Sequence, residues 1–80
     1  MPEEELFKTE KQVSRTEIAE ALREAAGQID SGDVTLVSDV EEQHVTVPEM
    51  PRFEIELERL TDSETGEQRY ELEYEVRWTE

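Results

Sequence analysis

The stretch Tyr70-Glu71-Leu72-Glu73-Tyr74-Glu75-Val76-Arg77-Trp78 alternates apolar and charged residues without a slip. A strand points successive side chains to opposite faces. Tyr70, Leu72, Tyr74, Val76 and Trp78 therefore share one face, and Glu71, Glu73, Glu75 and Arg77 the other. This is the pattern of a long antiparallel strand with one dry side and one wet side. The rest of the chain reads as the means of covering the dry side.

Its natural partner is Arg52 to Leu60, where Phe53, Ile55 and Leu57 alternate with Glu54, Glu56 and Glu58. Thr61 to Gln68 joins the two and contains Thr65-Gly66, a usable tight turn. With Thr65-Gly66 at the tip, Phe53 faces Trp78, Ile55 faces Val76, Leu57 faces Tyr74 and Arg59 faces Leu72. On the outer side Glu54 meets Arg77 and Asp62 meets Arg69, which is favourable. Glu56 then opposes Glu75 and Glu58 opposes Glu73, which is not. A one-residue slip would set core opposite water, so only registers of the same parity are admissible.

Upstream, Ser14-Arg15-Thr16-Glu17 is a capping box, with Val13 and Ile18 placed as a hydrophobic staple. Ile18, Leu22, Ala25, Ala26 and Ile29 follow helical spacing, with Glu17, Glu20, Arg23, Glu24 and Gln28 on the wet side. Small residues at 19, 21, 25 and 26 let this helix lie close to a sheet. Gly27 reads as a site of close packing against an aromatic of that sheet, and Gly32 as a left-handed cap that ends the helix. Val34 to Val37 and His44 to Val47 read as two short strands around a polar turn, Ser38 to Gln43. Pro48-Glu49-Met50-Pro51 reads as an extended linker, because proline lacks an amide donor. Leu6 to Val13 reads as a weak edge strand with only Phe7 and Val13 as core candidates, its lysines discouraging pairing with another chain. Met1 to Glu4 is expected to be a frayed acidic tail.

The expected fold is thus α+β with the order β-α-β-β-β-β: one helix packed across one face of a mostly antiparallel five-stranded sheet, in spatial order 2-3-4-5-1. A helix of about 16 residues is roughly 24 Å long, and five strands span about 19 Å, so one helix can cover the dry face. Eighty residues make one domain, here 5–80, with one modest core.

The chain holds 23 acidic and 8 basic residues, for a net charge of −15. Lys8 and Lys11 are its only lysines. An acidic, lysine-poor but well-patterned chain points to adaptation to concentrated salt, where a Debye length of roughly 3 Å screens self-repulsion. An acidic nucleic-acid mimic and a ligand for a basic partner are the alternatives. Salt adaptation is preferred because the acid is spread along the chain rather than run into a tail. Direct nucleic-acid binding is disfavoured for want of a basic patch. The absence of cysteine excludes disulfides, thiolate metal sites and a thiol nucleophile. The first residues do not read as a signal segment and no stretch reaches the length of a membrane span, so a cytoplasmic protein is expected.

His44 reads as a surface strand histidine rather than a base or metal ligand. Glutamates are so abundant that a neighbouring pair carries no information on acid–base catalysis. The Glu56/Glu58/Glu73/Glu75 cluster could bind hydrated cations, but a solvated face is the preferred reading. No glycine loop cradles phosphate. The aromatic stripe of Tyr70, Tyr74, Trp78 and Phe53 reads first as core; Trp78, two residues from the end of the sequence, is the candidate partner contact together with Phe53.

The amphipathic final strand closing on Trp78, the Leu6-Phe7 strand, the Ser-capped Ala-rich helix from Val13-Ser14 to Ile29 and Gly32-Asp33-Val34-Thr35-Leu36 together resemble the amphi-Trp domain family. The resemblance covers Leu6 to Trp78, and the acidic bias resembles a haloarchaeal member. It implies a small stand-alone domain of archaea and bacteria and carries over no catalytic residue. The expected function is a non-enzymatic, salt-adapted interaction domain without cofactors, acting on an unknown protein partner or as a homodimer. The alternative is a carrier of a small ligand or cation, using the acidic sheet face or a helix–sheet pocket.

Overall fold

The computed structural model describes residues 2–80. Helix α1 spans Arg15–Ser31, and four strands follow: β1 Asp33–Val37, β2 Glu42–Thr46, β3 Arg52–Thr61 and β4 Gln68–Arg77. The class is α+β, as expected. The sheet is not. β1 and β2 form one two-stranded antiparallel sheet, and β3 and β4 form another. The expected order 2-3-4-5-1 fails where Pro48 and Pro51 bracket the step from β2 to β3: without their amides, and with φ fixed, this segment forms no hairpin turn. The expected strand from Leu6 to Val13 is also absent, since residues 2–14 are irregular. Phe7 and Val13 are half-buried there, but two apolar anchors do not hold an edge ladder together. Of the expected tail, Pro2 to Glu4 is exposed coil, and Met1 lies outside the described residues.

The chain divides into two compact units, Met1–Glu49 and Met50–Glu80. In the first, the helix begins as its sequence requires. Ser14 is extended (φ −71°, ψ 157°) and its hydroxyl accepts from the Glu17 amide at 3.1 Å. Only this half of the capping box is made among the described residues. Gly32 closes the helix at φ 90°, its amide donating to the Gln28 and Ile29 carbonyls at 3.1 Å each. The Gly32 carbonyl then accepts from the Val47 amide at 2.8 Å, which ties the end of the second strand to the helix terminus. Val47 is the one buried hydrophobic residue among those described, at 9% exposure.

Gln28 departs from its expected place in solvent. It is half-buried, and its Oε1 accepts from the Thr35 amide at 2.7 Å, pinning α1 to β1. Gly27 also departs from expectation. A Cβ built there meets nothing within 4 Å. The β1–β2 hairpin pairs Val34 with Val45 and Thr35 with His44. Its turn is shorter than expected, because Ser38 Oγ accepts from the Val40 and Glu41 amides and so closes the chain by Glu41.

In the second unit, β3 and β4 pair over ten residues each. Phe53 faces Val76, Ile55 faces Tyr74, Leu57 faces Leu72 and Arg59 faces Tyr70. The parity is as expected, but the register is displaced by two residues, so Phe53 does not face Trp78. The cause lies in the loop. Asp62 Oδ1 accepts from the Glu64 and Thr65 amides, at 2.8 and 3.1 Å, and the Asp62 carbonyl accepts from Gly66 at 2.9 Å. Within the loop only Gly66 adopts a positive φ, +76°, and no residue other than glycine does so among those described. A two-residue primed turn on Thr65-Gly66 would force the β-branched Thr65 into a region it avoids. The longer loop from Asp62 to Glu67, held by the Asp62 side chain, avoids this.

Candidate functional site

Strand alternation sorts the β3–β4 hairpin into two chemically opposite faces. One carries Phe53, Ile55, Leu57 and Arg59 from β3, with Tyr70, Leu72, Tyr74 and Val76 from β4. Its large apolar members Phe53, Ile55, Leu57, Tyr70, Leu72 and Tyr74 are 54–68% exposed. Phe53 and Tyr74 lie diagonally across the ladder with ring centroids 6.3 Å apart and planes within 15°, a stacked pair. The stripe expected as core is thus laid open to solvent along the ladder. Val76 and Trp78 are half-buried, and Trp78 stands just past the last ladder pair.

The other face is acidic. Glu54 opposes Glu75, Glu56 opposes Glu73 and Glu58 opposes Glu71. The cations are spent at its ends. Arg77 reaches Glu54 and Glu75, both at 3.5 Å, and so bridges one opposed pair. Arg69 Nε lies 3.8 Å from Glu71. The central pair, Glu56 and Glu73, has no salt bridge among the described residues. Glu56 accordingly holds its proton far above the usual carboxylate range, at about 7. The main cause is Glu58, two residues along the same strand face, through a shared hydrogen bond and like charge. Desolvation and the charges of Glu54 and Glu73 add to it. At the loop, Asp62 is shifted the opposite way, because the Glu64 and Thr65 amides donate to its ionised form.

Two shallow depressions mark the hairpin ends. The larger, about 600 Å³ and widely open, is lined by Arg52, Val76, Arg77, Trp78 and Thr79. Arg52 and Arg77 face each other across the ladder there. The smaller, at the loop end, involves Leu60, Thr61, Asp62, Glu67 and Arg69.

His44 is exposed, with Nε2 3.7 Å from Asp33 Oδ1. No group of three His, Asp or Glu side chains is placed to hold a metal ion among the described residues. No described helix is long and apolar enough to cross a membrane. Of the two partner-contact candidates, Phe53 sits within the open apolar face and Trp78 at its edge. Sequence reasoning named Tyr70, Leu72 and Tyr74 as core, and their exposure was invisible to it. Alternation marks a dry face but does not say what dries it. No curated protein and no solved structure matches the chain. The Amphi-Trp domain model matches residues 1–80, the whole of the sequence, and the chain belongs to the Amphi-Trp domain family.

Proposed function

We propose that the chain is a small, non-enzymatic interaction domain, salt-adapted and cytoplasmic, whose contact surface is the apolar face of the β3–β4 hairpin. The observation that carries this reading is the continuous row of exposed Phe53, Ile55, Leu57, Tyr70, Leu72 and Tyr74. An exposed apolar patch of that extent marks an interaction site in a soluble protein. Phe53, stacked on Tyr74, is a rigid aromatic anchor of the kind that dominates interface energetics. Trp78 prolongs the same row beyond the ladder. The charge of −15 suits concentrated salt, which weakens repulsion among the glutamates and strengthens apolar association. Direct contact with nucleic acid is not part of this reading.

The test is binding of a fluorescent apolar dye in molar KCl, at a chain concentration dilute enough for sedimentation to give a monomer, to the wild type, to Leu72→Thr and to Glu58→Gln. The face-specific reading expects weaker dye binding for Leu72→Thr and no change for Glu58→Gln. Equal, negligible dye binding by all three would remove the contact surface and the reading with it.

A second reading, a cation carrier on the acidic face, is favoured by one observation: Glu56 holds its proton to about 7 among uncompensated carboxylates. Isothermal titration with magnesium or calcium decides it, since a carrier must release protons from Glu56 on binding.

A further inference from the structure

We infer that the apolar face of the β3–β4 hairpin is covered by the same face of a second copy of the chain, forming an isologous sheet-on-sheet dimer. This rests on the interaction reading and names its partner. The first argument is stability. A two-stranded hairpin is marginal in water without a packed face, and no residue of β3 or β4 is buried. The second is area. Six large side chains at 54–68% exposure offer about 700 Å² per copy. Twice that, about 1,400 Å², falls within the range of stable interfaces.

The third argument is charge, and it selects the partner. A chain of net charge −15 repels its own copies through almost any surface. On this face the only charged side chain in the ladder is Arg59, while Glu54, Glu56, Glu58, Glu71, Glu73 and Glu75 all point away. Stacked sheets lie about 10 Å apart. The two acidic faces would therefore be on the outer sides of the dimer, farther apart than a Debye length of about 8–10 Å at moderate salt. Self-association through this face thus escapes the repulsion that opposes it elsewhere.

Arg59 also sets the orientation. It stands about three residues, roughly 10 Å, from the middle of the ladder, toward the loop. If the two hairpins ran in the same direction, the two Arg59 side chains would meet. With one hairpin reversed, each Arg59 lies over the second copy's Phe53 instead, where a guanidinium over an aromatic ring is attractive.

The experiment is sedimentation equilibrium of the full chain in molar KCl, from micromolar to millimolar concentration, with dye binding and far-UV circular dichroism on the same samples. The expected result is a concentration-dependent doubling of mass and loss of dye binding in the dimer. Leu72→Arg places a charge at the centre of the face twice per dimer, and should raise the dissociation constant at least about 100-fold with strand signal retained. Glu58→Gln, on the outward face, should leave the mass unchanged or tighten the dimer. If Leu72→Arg loses its strand signal, Leu72→Thr replaces it and should still weaken the dimer. A monomer at every concentration that binds dye overturns the second copy as partner while leaving the interaction reading intact. A monomer that binds no dye overturns both. A dimer unaffected by any foldable Leu72 substitution overturns the assigned face.

Discussion

Reversing the charge of Glu71 should reveal a pairwise coupling with Glu58, and with no other glutamate of β3 to the same degree. The two residues are directly opposed on the acidic face. Cβ atoms of opposed residues lie about 4.5–5.5 Å apart. With carboxylates near 6 Å and a water-like dielectric, the repulsion is about 0.7 kcal/mol, and reversing one charge swings it by about 1.4. Flexible exposed side chains reduce that to about 1 kcal/mol in dilute buffer. At about 1 M salt the Debye length is roughly 3 Å, and less than about 0.3 kcal/mol should survive. Glu71 also loses its contact with Arg69 when reversed, so a single variant does not isolate the pair. The double-mutant cycle of Glu58→Gln and Glu71→Lys does, since neutralising one partner leaves the single-reversal swing as its coupling. Urea is the denaturant of choice, because guanidinium is itself a salt. Coupling near zero for this cycle, alongside a clear coupling between Glu58 and Glu73, would refute the register and restore a two-residue turn on Thr65-Gly66.

Ser14→Ala should cost about 1 kcal/mol in urea unfolding, because the Glu17 amide loses its acceptor. Gly27→Ala should stabilise the chain by about 0.5–1 kcal/mol, since the helix gains propensity and the added methyl meets no neighbour. For pH, the folded value of Glu56 lies above its ordinary 4.5, so its ionisation weakens the fold. Stability should therefore rise as pH falls from 8 through 7 toward 4.5, and Glu56→Gln should flatten that part of the profile. Asp62 acts in the opposite sense: its contribution is present above its ordinary 3.8 and is lost as pH falls further, so a stability maximum between about 4 and 5 is expected.

The helix was legible because its signals are local. The Ser14 cap and the Gly32 terminus depend on a few neighbouring residues, and both formed where the sequence placed them. The pairing of β3 with β4 and its parity were legible for a similar reason, since alternation leaves no freedom in which side chains share a face. Register was not, because it is set by loop chemistry. Asp62 with Gly66 four residues on was the available signal: an aspartate able to cap the following amides, and a glycine at the one position that needs positive φ. Gln28 was misplaced because a glutamine at the helix edge reads as solvated until the Thr35 amide is brought to it. The five-stranded sheet failed for a broader reason. A dry face predicts burial against something, and composition cannot distinguish a neighbouring strand, a helix or another molecule. The same ambiguity applies to the candidate contact residues. Phe53 was identifiable by type, but the open surface around it was not.

The most direct measurement is an isotope-filtered NOE experiment on an equimolar mixture of labelled and unlabelled chains in molar KCl. Contacts are expected between copies, from the methyl groups of Ile55, Leu57 and Leu72 of one chain to the rings of Phe53, Tyr70 and Tyr74 of the other. Spectra free of such contacts at millimolar concentration, with those methyl groups still exposed to a soluble paramagnetic probe, would contradict the proposed dimer.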